Sequence, residues 1–128
     1  VSASMIILLF VVNYIIMWFF PEKPMWFDIA IHGLGGCFSA LCVGSFMDWR
    51  VQGFREAESF FRFVVIICCA VALGVAIELF ESLDAFYSWS VLVTSEQSYG
   101  NIIRDLWADS MGALWGAAIY LSWVDIRE

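Results

Sequence analysis

The sequence predicts an all-α integral membrane protein, a four-helix bundle with short loops and an acidic, histidine-containing pocket at one leaflet. Of its 128 residues, 62% are hydrophobic and only 15% are charged, which is too little charge to cover the surface of a soluble domain of this size. Four apolar runs follow one another, each close to the roughly 20 residues that cross a bilayer. We therefore expect residues 1–128 to form a single transmembrane domain.

The first two predicted helices end at polar segments. The first apolar run stops at Phe20, before a turn in which two prolines flank a charged pair. The second run begins at Asp28 and stops at Met47, where a charged loop to Glu58 begins. These boundaries predict helices over residues 4–20 and 28–47.

The last two predicted helices, residues 60–83 and 102–124, are separated by the longest connection in the chain. Aromatic and β-branched residues alternate with smaller ones in that connection, which predicts an extended or re-entrant segment at the membrane interface. Tryptophans at the predicted helix ends are typical of the aromatic belts of membrane proteins. These are Trp18, Trp26, Trp49, Trp107 and Trp123.

The basic residues predict the orientation in the membrane. Four arginines lie on the side that holds both termini and the middle loop, whereas the other side holds only Lys23 and Arg104. Because basic residues are enriched on the cytoplasmic side, we expect both termini in the cytoplasm, and the location to be a bacterial inner membrane. The four arginines are Arg50, Arg55, Arg62 and Arg127.

Three of the helices carry a stripe of small residues that becomes acidic towards one end. On the fourth helix, Asp105, Asp109, Gly112 and Gly116 fall at i, i+4, i+7 and i+11, which is one helix face. An aspartate at the centre of a spanning helix costs roughly 2.5–3.5 kcal/mol, so this face must contact protein rather than lipid. The other two stripes are Asp28, His32, Gly35 and Ser39, and Gly74, Glu78 and Glu81.

The predicted topology brings the acidic ends of these stripes to the same membrane face, expected to be the outer one. Small residues let helix backbones approach closely, so the three stripes are expected to meet around a shared polar pocket. Asp84, at the end of the third helix, brings the carboxylates at this face to six. Six carboxylates and a single histidine cannot all be ionised and unpaired in a half-buried site. Either a cation is bound there, or the acids form a partly protonated network in which Arg104 neutralises one of them.

A set of carboxylates and one imidazole suits a divalent metal such as Zn, Mn, Fe, Mg or Ca. The spacings match no single named metal motif, and the paired E-x-x-H of di-iron bundles is absent. We expect no organic cofactor, because Asp28 on the same face disfavours a haem or pigment at His32. The candidate catalytic base is Glu78, and the candidate metal ligands are Asp28, His32, Glu81, Asp105 and Asp109.

Together these elements resemble the VanZ-like family and related bacterial polytopic membrane proteins. That pattern has Asp and His at i, i+4, then Glu with a polar residue three positions later, then Asp and Asn or Asp before G-x-x-x-G. The resemblance covers residues 28–116 and implies the helical fold and the pocket. Three departures make this pocket more acidic than the pattern. No basic residue follows Asp28, Glu81 stands where glutamine is usual, and Asp109 stands where asparagine is commoner.

Three functions remain open at the level of sequence. The first is a non-catalytic accessory subunit that packs with lipids and other subunits in a larger assembly, photosynthetic or respiratory for example. The second is a metal-dependent enzyme acting on lipid-linked substrates at the outer leaflet. Proton or cation passage is disfavoured, because the cytoplasmic half of each stripe is predicted to lack titratable residues. Nucleic acid is excluded as a partner, since the net charge is −7 and no basic patch exists.

Overall fold

The computed structural model describes residues 24–87 and 99–126, with the backbone alone at 81–87, Tyr99 and Asp125. Within these ranges the chain forms three α-helices and no strand, which confirms the all-helical prediction. The predicted first helix at residues 4–20 and the middle of the predicted interfacial connection, residues 88–98, lie outside the described residues. The two ends of that connection, residues 84–87 and 99–101, are helical rather than extended. The three helices are α1 (Met25–Arg50), α2 (Ser59–Tyr87) and α3 (Tyr99–Asp125).

Each helix is longer than its apolar run. Pro24 stands before the first turn of α1, where its missing N–H costs nothing, and its carbonyl accepts from the Phe27 N–H at 2.9 Å. At the other end α1 continues through Asp48 to Arg50, because charged residues satisfy helical hydrogen bonds as well as apolar ones do. The Val51 N–H closes the helix on the Met47 carbonyl at 2.9 Å. Hydropathy therefore marks the apolar part of a helix rather than its ends.

The α1 and α3 helices form the most extensive contact of the three. A Cβ atom built on Gly112 would lie 2.8 Å from the Gly33 carbonyl carbon, and one on Gly116 would lie 2.9 Å from the Cβ of Ala40. One on Gly44 would lie 2.7 Å from the Tyr120 ring. Residues later in α1 contact residues later in α3, so the two helices run parallel. Gly112 and Gly116 are required because the helix backbones touch there, and Gly44 because the Tyr120 ring lies against it.

A short turn joins α1 to α2 and is anchored by one aromatic side chain. Phe54 is buried among Ile66, Leu121, Val124 and other core residues at this end of the helices. Gly53 supplies a φ of +77° just before it, a conformation that side chains other than glycine rarely adopt. The turn thus folds back onto the helices, and it brings Arg55 and Arg62 to the end of α1 where Asp48 lies.

Two helical segments in the described part of the chain, Met25–Arg50 and Ser59–Phe80, are long and apolar enough to cross a membrane. By length and composition these segments are compatible with a membrane protein. The α3 helix was also predicted to span, but it is the least apolar of the three helices. Its mean hydropathy is lowered by the charged and small residues that form the stripe from Asp105 to Gly116.

Candidate functional site

The first part of the site is an arginine held between two aspartates. Arg104 Nη2 donates to Asp28 Oδ2 at 3.0 Å, which connects α3 to α1. Its Nε donates to Asp105 Oδ1 at 3.3 Å, on the next residue of the same helix. Asp105 is buried, whereas Arg104 and Asp28 remain partly exposed. Arg104 therefore pairs with acids from two helices.

The second part joins all three helices at His32. Its Nδ1 lies 3.4 Å from Asp109 Oδ1 on α3 and 3.7 Å from Glu78 Oε1 on α2. Glu78 is almost fully buried, with 4% of its surface exposed, and His32 and Asp109 are half-buried. Charged groups in such surroundings are stable only when they are paired. The imidazole is thus the one described group that faces carboxylates from both neighbouring helices.

Local helix geometry explains why these side chains converge. Asp28 and His32 are four residues apart on α1, as are Asp105 and Asp109 on α3, so each pair points to one side of its helix. Because α1 and α3 run parallel, their amino-terminal ends lie side by side. The antiparallel α2 helix brings the carboxyl-terminal part of its own length to the same level. We call this group the acidic cluster; it comprises Asp28, His32, Glu78, Arg104, Asp105 and Asp109.

Two sets of side chains in the acidic cluster could hold a metal ion. In each set one oxygen or nitrogen from every residue lies within 4.8 Å of the others. One set is Asp28, His32 and Asp105, and the other is His32, Glu78 and Asp109. One imidazole with two carboxylates is a donor set that Zn, Mn or Fe accepts, and three protein ligands leave a position for water.

Four of the five predicted metal ligands thus occur in these sets: Asp28, His32, Asp105 and Asp109. The fifth, Glu81, belongs to α2, but its side chain lies outside the described residues. Glu78 was predicted as a catalytic base. In the structure one of its carboxylate oxygens lies within 4.8 Å of a donor atom of His32 and of Asp109. A carboxylate in that position is as well suited to binding a cation as to accepting a proton.

The stripe on α1 that packs against α3 differs from the predicted one. The buried small residues are Gly36, Ala40 and Gly44, whereas Gly35 is exposed and Ser39 only partly buried. Asp28 and His32 lie at the edge of this packed face rather than in its middle. A helix turns 100° per residue, so a shift of one position rotates the contact face by that angle. Sequence spacing shows which residues of α1 share a face. It does not show whether the face with Gly35 or the face with Gly36 contacts α3.

A second group of polar and charged side chains lies at the opposite end of α1 and α3. The prediction that this half of each stripe lacks titratable residues is therefore wrong for Asp48 and Tyr120. We call this second group the Asp48 cluster; it comprises Asp48, Arg55, Arg62 and Tyr120. Tyr120 donates its hydroxyl proton to Asp48 Oδ2. Arg55 Nε lies 3.5 Å from the same oxygen, and Arg62 Nη2 lies 4.0 Å from Oδ1.

Asp48 and Arg62 are more deeply buried than the groups around Arg104, whereas Arg55 is exposed. Only 7% of the Asp48 side chain and 3% of the Arg62 side chain are exposed. Arg62 is held by the turn, because its Nη1 donates to the Arg55 carbonyl at 3.3 Å and its guanidinium lies over the Phe54 ring. The sequence predicted Asp48 and Arg55 in a loop and Arg62 at the start of a helix. This packing was therefore not predicted.

A local signal for the Asp48 cluster was present in the sequence. Asp48 follows Gly44 by four residues on α1, and Tyr120 follows Gly116 by four residues on α3. Both polar residues therefore continue the stripes that carry the glycines. Extending each stripe beyond the apolar run, instead of ending it there, would have placed Asp48 beside Tyr120.

Comparisons of the chain with protein-family profiles, with curated proteins and with solved structures found no match. Function is therefore inferred from the two clusters and from the helices that hold them.

Proposed function

We propose that the chain is a small, non-catalytic integral membrane subunit whose acidic cluster fixes three helices in one arrangement for packing in a larger assembly. The observation that supports this function most directly is the pairing within the cluster. Arg104 faces Asp28 and Asp105, and His32 faces Asp109 and Glu78. In this proposal, the ion pairs between different helices specify which helices pack together and in which register, a role that buried ionic groups have in some proteins.

The outer surfaces of the helices fit the same function. Large apolar side chains on faces turned away from the bundle are strongly exposed, among them Phe60, Phe80 and Trp115. In water such surfaces would aggregate, whereas in a membrane they contact lipid or other helical subunits. We therefore expect the chain to remain in the membrane on alkaline extraction and to migrate with partner subunits in mild detergent.

The test uses membranes solubilised in mild detergent and resolved by native electrophoresis, with the wild type beside Asp109→Asn. A structural subunit predicts that the variant stays in a complex heavier than the monomer and dissociates at a lower temperature. Glu58→Gln is the matched control, because it also removes one acidic charge but at an exposed position outside the cluster. Migration of the wild type as a monomer, from the membrane in which it is naturally made, would contradict the proposal.

A second candidate function is a metal-dependent enzyme acting on lipid-linked substrates at the outer leaflet, which the sequence left open beside the accessory subunit. One specific observation favours it. His32, Glu78 and Asp109 come from three different helices, and one donor atom from each lies within 4.8 Å of the others. A metal bound there would polarise a phosphoryl or acyl oxygen and activate water.

Elemental analysis of the purified protein separates the two functions. Near-stoichiometric Zn, Mn or Fe in the wild type and in Glu58→Gln, lost from a folded His32→Ala/Asp109→Asn variant, would favour the enzyme. Absence of metal from all three proteins would favour the ion-pair network. The thermal unfolding transition of each variant verifies that the comparison is made on folded protein.

A further inference from the structure

The acidic cluster has an open side in the groove between α1 and α2. The Asp109 carboxylate lies between these helices, because a Cβ atom built on Gly35 of α1 would lie 3.9 Å from its Oδ1, and one built on Gly74 of α2 would lie 3.0 Å from its Oδ2. Gly74 is buried, whereas Gly35 is exposed. Of the three pairs of helices, α1 and α2 have the least extensive contact. The groove is therefore open beside Gly35.

Polar side chains of the cluster are partly uncovered along the same side of α1. Asp28 and His32 keep 34% and 19% of their side-chain surface exposed, and with Gly35 they fall at i, i+4 and i+7, which is one helix face. His32 lies seven residues, about 10 Å, beyond the start of α1. In a helix that crosses a membrane, such groups face protein or a water-filled cavity rather than lipid. The groove therefore suits an occupant that brings a polar group.

We propose that residues 4–20 pack in this groove as a helix antiparallel to α1, and that the Asn13 carboxamide covers the open side of the acidic cluster. Asn13 is the only strongly polar residue between Met5 and Phe20. The proposal rests on the membrane location given under the proposed function. It assigns the groove to a segment of this chain rather than to lipid or to another subunit.

The first argument comes from the length of the connection. Three residues separate Phe20 from Pro24, which stands before the first turn of α1. A connection of that length spans at most about 14 Å, little more than the roughly 8–10 Å between the axes of packed helices. A helix that ends at Phe20 therefore lies beside α1 and runs back along it, as helices with short connections do. Residues 4–20 would reach about 25 Å along α1, well past Gly35.

The second argument comes from the position of Asn13 in the segment. Asn13 precedes Phe20 by seven residues, and His32 follows Met25 by seven, so antiparallel packing brings Asn13 to the level of His32. The side chains of a helix tilt towards its own amino terminus. In the antiparallel segment that direction leads from His32 towards Gly35, where the cluster is open. A carboxamide can donate to a carboxylate and accept from an imidazole.

The other exposed side of α1 offers Asn13 no such partner. Ala30 and Leu34 are exposed there, four residues apart, and both are apolar. An asparagine that faces apolar side chains or lipid is left without a hydrogen bond, which is costly. The groove beside Gly35 is therefore the better match. The short connection also gives the segment a high local concentration at the groove, which a separate subunit lacks.

The test is disulfide cross-linking of the full chain in its membranes, after its four cysteines have been replaced by alanine. Phe10 lies one turn before Asn13 on the same face, and antiparallel packing brings it level with Gly35. We expect oxidation to join Phe10→Cys to Gly35→Cys within one chain, because packed helices bring such residues within disulfide reach.

Two control pairs test the assigned faces. Phe10→Cys with Leu34→Cys uses the neighbouring position on α1, which points away from the groove. Val12→Cys with Gly35→Cys uses a position on the segment that points away from α1 in the proposed packing. Both controls should cross-link several-fold less than the pair of Phe10→Cys and Gly35→Cys. Equal yields, no cross-link in the Gly35 pair, or a cross-link between two chains would overturn the proposal, the last by assigning the groove to a second copy.

Variants of Asn13 test the polar contact in a chain that keeps its cysteines. Asn13→Leu should lower the midpoint of thermal unfolding in detergent by about 2–8 °C, the size expected for the loss of one hydrogen bond. Asn13→Gln keeps the carboxamide and should lose less. An asparagine that faces lipid gives the opposite sign, because leucine is more favourable there. A raised midpoint for Asn13→Leu, or equal midpoints for both variants and the wild type, would contradict the contact.

Failure of this proposal can be distinguished from failure of the proposed function. Release of the wild type from membranes by alkaline extraction would contradict the membrane location, and the docked segment with it. Migration in a heavier complex, together with no cross-link between Phe10→Cys and Gly35→Cys, would overturn the docked segment alone. A monomer in which that cross-link forms would contradict the accessory subunit and leave the docked segment standing.

Discussion

Gly36 on α1 packs against the backbone of Asp109 on α3, so closely that a Cβ atom built on Gly36 would lie 2.7 Å from the Asp109 carbonyl carbon. The carboxylate of the same aspartate reaches His32, one turn earlier on α1, at 3.4 Å. Close backbone packing and the ion pair thus depend on a single turn of α3. A change in one is expected to disturb the other.

Adjacent glycines on α1 provide the sharpest test of this packing. Gly36→Ala should lower the free energy of unfolding by about 1–3 kcal/mol, because the new methyl group can be accommodated only by moving α3 away. Gly35→Ala is the matched control, since its Cβ would lie 3.9 Å from the nearest atom, Asp109 Oδ1. The control should be neutral or stabilise by up to about 1 kcal/mol through helix propensity. Equal unfolding free energies for both variants in detergent would refute the close approach.

The His32–Asp109 pair is expected to be energetically coupled. Unfolding free energies of His32→Gln, Asp109→Asn and the double variant should reveal a coupling of about 0.5–3 kcal/mol, because each single change leaves a half-buried partner behind. A second cycle that pairs Asp109→Asn with Tyr120→Phe serves as control. Tyr120 lies about 16 Å further along α3, so those two effects should add. Additive effects in the first cycle would mean that the two groups do not interact.

Removing the charge of Arg104 should lower the free energy of unfolding more than removing the charge of either acid that it contacts. Arg104→Gln leaves both Asp28 and Asp105 without their guanidinium partner, whereas Asp28→Asn leaves Arg104 paired with Asp105. Exposed ion pairs contribute roughly 0–1 kcal/mol, and breaking a buried pair costs roughly 3–5 kcal/mol. Because the Arg104 pairs are partly exposed, we expect Arg104→Gln to lower the free energy of unfolding by an amount between these limits.

Thermal unfolding at low and high salt measures this loss, which should shrink as salt screens the exposed part of the pair. Arg50→Gln, a change of the same type at an exposed site in the last turn of α1, should have little effect. An Asp28→Asn variant less stable than Arg104→Gln would contradict the assigned pairing.

Tyr120→Phe isolates one hydrogen bond of the Asp48 cluster. The ring that packs against Gly44 is kept, and only the hydroxyl that donates to Asp48 is lost. Because a hydrogen bond to a charged group contributes about 1.5–3 kcal/mol, we expect a loss of that size in the free energy of unfolding. Ser122→Ala, which removes an exposed hydroxyl bonded only to its own helix at the Ala118 carbonyl, should be nearly neutral. Equal stability of the two variants would show that the Asp48 contact contributes nothing.

The stripe from Asp105 to Gly116 shows how far sequence reasoning reaches. Its residues share a face whatever the rest of the chain does, because the spacing of a helix is local. The structure finds both of its glycines against α1 and both of its aspartates in the acidic cluster. Asp28, His32, Asp105 and Asp109, four of the five predicted metal ligands, meet in the acidic cluster, and their binding of a metal stays a prediction.

The partner face on α1 could not be derived from sequence. Gly35 and Gly36 are equally small, and a rotation of α1 by one residue exchanges them. Asp48, Arg62 and Tyr120 were missed for a related reason, since hydropathy ends a helix where charge begins, although helical hydrogen bonding continues through Asp48 to Arg50.

The sequence by itself determined that the described chain is helical and which residues share each helix face, because both follow from hydrogen bonding and spacing within one segment. The tertiary structure alone decided that His32 meets Asp109 and Glu78, that Arg104 reaches Asp28, and that Asp48 is enclosed by Tyr120 and Arg62. Such pairs depend on the rotation and height of one helix against another. That choice is made by the packing of all side chains at the interface, and no single segment encodes it.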